Sequence, residues 1–159
     1  MHPNIDVNRY TASLAWSGGP AGARLDVTAA WGRNVRTRDL PNCFVSAACL
    51  PASIPYPPSR TQDALLLEAT LHAGGRHLLF ARAERVEKDG LYPGPDPFHP
   101  RVFPVAAVQA GYLYELPLRG PIGLRAGGAA GVGLVPEFIQ PDYGHRPFSY
   151  WILAHARLR

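Results

Sequence analysis

Ser149 with His155, and His72 with His77, are the side chains whose types come nearest to a reaction centre in this chain. A serine nucleophile needs its base within ~2.6 to 3.2 Å. Ser149 and His155 share one alternating segment near the C-terminal end, and extended backbone holds them too far apart for that hydrogen bond. His72 and His77 flank a tight turn, but two imidazoles without a third ligand do not define a zinc site. Cys43 and Cys49 are the only cysteines and fall in one Pro-rich stretch, which suits a small disulfide in an oxidising compartment better than a metal site. Glycines between Gly127 and Gly133 alternate along a segment instead of forming a phosphate loop, and are expected to thin or bend a sheet. The residues therefore predict no enzyme, no metal and no cofactor.

What remains is the scaffold. A chain of 159 residues suits a single domain. Hydrophobic residues make up 47%, yet no apolar run approaches the roughly 18 to 20 residues of a membrane-crossing helix. Sixteen Gly and seventeen Pro punctuate short alternating runs, the pattern of many strands joined by turns. A net charge of +4 would permit nucleic-acid binding, but the basic residues are scattered and several alternate with acids, so no nucleic-acid partner is expected.

Seven segments alternate with period two. One parity carries Tyr10 to Trp16, Leu25 to Trp31, Leu65 to Leu71, Leu79 to Ala83, Ala106 to Tyr114, Ile122 to Leu134 and Phe148 to Leu158. The other carries the charges: Arg9, Arg24, Asp26, Glu68, Arg82, Glu84, Glu115, Arg125 and Arg157. In the fourth segment Leu78 and Phe80 share the parity of Arg82 and Glu84. Turning that face to lipid would cost roughly 2 to 4 kcal/mol for the arginine, so Leu79, Ala81 and Ala83 are assigned outward instead.

The connections alternate short and long. Short ones are expected at Ser17 to Gly22, Ala73 to Arg76 and Pro117 to Pro121; long ones at Val35 to Thr61, Lys88 to Pro104 and Pro136 to Pro147. Outer-membrane barrels sort their loops by parity in this way, with tight turns on the periplasmic side and long loops outside. In hydrocarbon every backbone N–H and C=O must be paired internally, so strands survive there only as a closed barrel, apolar outside and polar within. Aromatics sit where two interfacial girdles belong: Trp16, Tyr112 and Tyr114 toward the short turns, and Tyr10, Trp31, Phe148 and Tyr150 toward the long loops. The expectation is an all-β, antiparallel, up-and-down transmembrane barrel, here a partial one of about seven strands over residues 1–159, with 35–61 as a long extracellular loop and the nine charges named above lining the lumen.

The stretches DVNRYTASLAW (Asp6 to Trp16), AAWGRN (Ala29 to Asn34), LFARAERVEKDGL (Leu79 to Leu91), GYLYELP (Gly111 to Pro117) and SYWILAHARLR (Ser149 to Arg159) resemble a group of porin-like proteobacterial outer-membrane proteins. That resemblance implies the C-terminal part of a longer barrel, embedded in outer-membrane lipid and lipopolysaccharide and inserted by the barrel-assembly machinery. Its N-terminal strands and signal peptide would lie upstream of Met1, since the chain opens without a basic, apolar leader. The chain ends Leu158-Arg159 and not on the aromatic with which such barrels commonly finish. The competing expectation is a soluble lipocalin-like or sandwich β domain that holds an apolar ligand inside.

Overall fold

The computed structural model describes residues 5–38, 59–92, 101–118 and 120–158. Seven strands account for most of them: β1 (Ile5–Gly18), β2 (Ala23–Arg38), β3 (Ser59–Ala73), β4 (His77–Lys88), β5 (Phe103–Glu115), β6 (Ile122–Leu134) and β7 (Phe148–Leu158). They form one antiparallel sheet in the order of the sequence. β1 and β7 are its two edges and do not pair with each other, so the sheet is open. Cys43 and Cys49 lie outside the described residues.

The strands run further toward the long connections than alternation indicates. Val35, Arg36 and Thr37 pair with Thr61, Arg60 and Ser59, so the connection expected over 35–61 narrows to 39–58. Here polar side chains occupy both faces, so period two carries no signal while the backbone ladder continues regardless. The short connections are 19–22, 74–76 and 116–121, and the long ones 39–58, 89–102 and 135–147. Between β3 and β4, Gly74 and Gly75 adopt φ of 55° and 70°, a left-handed pair that only glycine adopts without strain and that matches the twist of the flanking strands.

Register fixes which residues share a face, because partners across a ladder project to the same side. One row runs Leu14–Ala29–Leu67–Ala83–Val108–Val132–Phe148 through all seven strands. Every residue assigned outward in the sequence falls on this apolar face. The nine charged residues assigned to the other parity fall on the opposite, polar face.

Among the described residues no second layer covers the apolar face. Ile152 is 90% exposed and Leu14 75%, with Leu67 and Val108 also exposed. Among the described residues only Phe103 and Ile139 are buried hydrophobics, and both sit at the long-connection end. A soluble domain hides its Leu, Ile and Val between two layers. Here the alternation is reversed: in β4 and β5 the apolar-face positions are mostly the more exposed ones, and polar-face side chains crowd one another.

Candidate functional site

On the polar face the charges gather in groups that bridge strands. Arg24 Nε donates to Asp26 Oδ1 at 2.9 Å and to Ser17 Oγ at 3.1 Å, and His72 Nε2 stands 3.9 Å from Asp26. Arg82 spans two acids, Glu68 at 3.1 Å and Glu84 at 2.8 Å. Glu115, only 5% exposed, accepts from Arg125 Nε at 3.1 Å and from Arg157 Nη2 at 2.9 Å, which ties β5 to β6 and β7. Each acid is satisfied by an arginine on a neighbouring position. Arg9 stands apart from these groups, at the long-connection end of β1.

The polar face is not polar throughout. Leu78, Phe80, Leu113, Trp151 and Leu153 share it, around Gly111, Gly127 and Ala129. Phe80 and Gly111 are direct partners, and a Cβ at Gly111 would overlap the Phe80 ring. Gly111 thus makes room for the Phe80 ring, whereas a Cβ at Gly127, one of the glycines expected to thin the sheet, would meet the backbone of Tyr112 and Leu113 on the neighbouring strand. Trp151 was not legible as part of this patch from its aromatic type alone; its register opposite Ala129 places it there.

At the long-connection end of β2 to β4, charge returns to the apolar-face parity. Arg33 grips Asp63 through two nitrogens at 2.8 and 2.9 Å, and Arg85 and Glu87 lie on the same parity. The Arg33 guanidinium also lies over the Trp31 ring at 5.4 Å. At the opposite end His77 Nδ1 and the Tyr112 hydroxyl are 2.7 Å apart, with the Tyr114 ring 5.3 Å from the imidazole. The apolar rows between these two ends are therefore bordered by amphipathic rings on both sides.

The connection 135–147 carries a 3-10 turn (Glu137–Ile139) and a short helix, α1 (Gln140–Tyr143). It leans over the polar face. Phe138 stacks on Phe103 at 6.2 Å, Ile139 is fully buried, and the Tyr92 hydroxyl donates to Asp142 at 2.7 Å. Its far end is pinned by the Gly133 N–H donating to the Pro147 carbonyl at 2.7 Å. Phe138, Ile139 and Tyr143 were the signal for this packing, apolar residues in a stretch read only as a loop.

Nearby, Asp89 accepts from Arg36 at 3.0 Å and Arg60 at 3.1 Å. Burial pushes the Asp89 carboxyl up, but hydrogen bonds from Gln62 and Arg60 and the charge of Arg36 outweigh it and hold it below the usual carboxylate range.

The reaction centres weighed in the sequence do not assemble. His72 and His77 project from opposite faces of the sheet. Ser149 directs its hydroxyl to the Gly131 carbonyl at 3.5 Å, while His155 lies beside Arg125 further along β7. Among the described residues no group of three or more His, Cys, Asp or Glu is placed to hold a metal ion. No protein-family model matches the chain, and comparison with curated proteins and with solved structures finds no match.

Proposed function

We propose that the chain forms part of an outer-membrane β-barrel, with its apolar face against acyl chains and its polar face toward an enclosed aqueous interior, acting as a porin-like passive channel or a structural barrel wall. One observation carries the reading: the apolar band slants across the sheet. Trp16 closes the band on β1, and its register row leads through Val27, Ala69, Ala81, Ala110 and Ala130 to Tyr150 on β7. On β7, however, the band continues from Tyr150 to Leu158. The other border, from Tyr10 to Phe148, drifts the same way by about half as much. The mean drift is about one residue per strand, which with a ~3.3 Å rise and ~4.8 Å strand spacing corresponds to a tilt of roughly 35°. Barrel strands in a membrane tilt by roughly 35 to 45°. A band held level by a bilayer accounts for the slant, whereas a soluble sheet has no horizontal plane to which its apolar residues must conform.

Closure needs further strands between the free edges of β1 and β7. With seven strands the two edges run in the same direction, so copies of this sheet set around a common barrel axis would meet in a parallel seam. An all-antiparallel wall needs an odd number of additional strands, which we assign to another part of the same protein. Partners on this reading are outer-membrane lipid, lipopolysaccharide and the assembly machinery.

Fractionation of cells expressing the whole gene product tests the reading. The expected result is recovery in the outer membrane, extraction only by detergent, and a band whose gel mobility changes on boiling. Recovery as a soluble species with the apolar face buried against a second sheet contradicts it and supports the lipocalin-like or sandwich alternative.

A further inference from the structure

The polar face is unevenly charged along the strands, and the excess lies at the end of the long connections. Arg9 on β1, Arg36 on β2, Arg60 on β3 and Lys88 on β4 all lie on this face near the end of the sheet, Arg9 sharing one register row with Asn34 and Gln62, and Lys88 pairing with Phe103. Asp89 lies among them and engages Arg36 and Arg60 together. Between Arg9, Thr11, Asn34, Gln62 and Lys88 the surface forms a depression of about 290 Å³. Two further acids reach its rim, Asp63 and Glu87, but both belong to the apolar-face parity. Asp63 is held by Arg33, and Glu87 accepts the Asp63 backbone N–H at 3.0 Å. Across the opening, Arg101 lies over the Phe138 ring at 5.4 Å, and Asp142 is held by Tyr92.

Farther along the polar face the balance is different. Arg82 is outnumbered by Glu68 and Glu84, and Arg24 is matched by Asp26. Glu115 is shared by Arg125 and Arg157, so the three clusters taken together are neutral, and among the described residues the excess positive charge of this face lies at the long-connection end.

We infer that this end of the polar face is an entrance site for small anions, binding carboxylate- or phosphate-bearing solutes through Arg9 and Lys88 and steering them past cations. The inference rests on the barrel reading above. Asn34 supplies a neutral donor beside the two cations, so an oxyanion has both charge and a directional hydrogen bond available. Rings of Arg or Lys confer anion preference on pores, and a field of this kind acts within a Debye length of ~10 Å at 0.1 M salt. The 135–147 connection, folded over the same face, narrows the approach and brings solutes past these side chains.

The test uses the whole gene product reconstituted in planar bilayers, with the reversal potential read across a KCl gradient near 0.1 M. The expected result is chloride preferred over potassium by about threefold or more, with the preference falling toward unity in Arg9→Ser/Lys88→Gln. Millimolar inorganic phosphate is expected to reduce chloride current in the parent and not in that variant. Arg85→Gln, at the same height on the opposite face, is expected to leave the ratio unchanged. Channels that prefer potassium, or a ratio untouched by the double substitution, overturn the entrance site while leaving the barrel standing. Absence of any conductance from correctly inserted protein overturns the channel reading and the entrance site together.

Discussion

Arg157 reaches across β6 to place one guanidinium nitrogen 2.9 Å and 3.0 Å from the two carboxylate oxygens of Glu115. Glu115 sits at the end of β5 and Arg157 near the end of β7, so this contact, with Arg125 between them, locks the last three strands together next to the short-turn end. Removing the carboxylate leaves two arginines facing each other in a crowded surface. Glu115→Ala is expected to destabilise the folded chain by about 2–4 kcal/mol, somewhat less than a fully buried pair because Arg157 is partly exposed. Glu115→Gln, which keeps acceptor oxygen but no charge, is expected to lose less. Urea unfolding from lipid vesicles, followed by tryptophan emission, measures both; equal stability of the alanine variant and the parent contradicts the assignment.

Phe80 and Gly111 make a second pair whose coupling has a definite sign. Gly111→Ala is expected to cost about 1–3 kcal/mol, because the added methyl meets the Phe80 ring. In a Phe80→Ala background the same change is expected to cost at least about 1 kcal/mol less, since the obstructing ring is gone. A double-mutant cycle on the unfolding midpoints gives the answer, and strictly additive effects would remove the steric explanation.

Asp89 gives the long-connection end a pH dependence. Its carboxyl is held below the ordinary value, so its stabilising contribution is fully present above the unfolded pKa of ~3.9 and is lost as pH falls through the lower folded value. Acidification below about pH 4 is expected to loosen the Arg36–Asp89–Arg60 contact. Asp89→Asn is expected to flatten that part of the stability profile. Hydrogen exchange in the strand ends around Arg36 and Arg60, compared across the acid range, is the direct readout.

The two faces should answer oppositely to charge. Leu67 is already exposed, so in water Leu67→Arg would change stability by no more than about 0.5 kcal/mol. Against acyl chains near mid-bilayer the same substitution is expected to cost about 2–4 kcal/mol. Leu66→Arg, one residue along and on the polar face, is expected to cost less than Leu67→Arg. Comparing the two variants in vesicles therefore separates a lipid-facing surface from a solvent-facing one.

Much of this arrangement was legible in the sequence because strand geometry is strictly periodic. Once Leu79, Ala81 and Ala83 were chosen over Leu78 and Phe80, every strand had one parity assigned to the apolar face, and the ladders pair those parities with one another. The strand ends were not legible. From Asn34 to Arg38 and from Ser59 to Asp63 neither parity is apolar, and only backbone pairing extends the ladder. Nor was the burial of Ile139, since a few apolar residues in a long loop carry no period. The apolar content of the polar face was hidden for a related reason: Trp151 and Leu113 become neighbours of small residues only through pairing across strands.

The tryptophans offer the most direct test of the central claim. Trp16 and Trp31 lie on the apolar face at opposite borders of the band, and Trp151 lies on the other face. In single-tryptophan variants of the whole gene product in vesicles, brominated acyl chains are predicted to quench Trp16 and Trp31, more strongly from shallow than from mid-bilayer positions, and to leave Trp151 nearly unaffected. Quenching of Trp151 as strong as that of Trp16, or emission from all three unchanged by brominated lipid, would contradict the account.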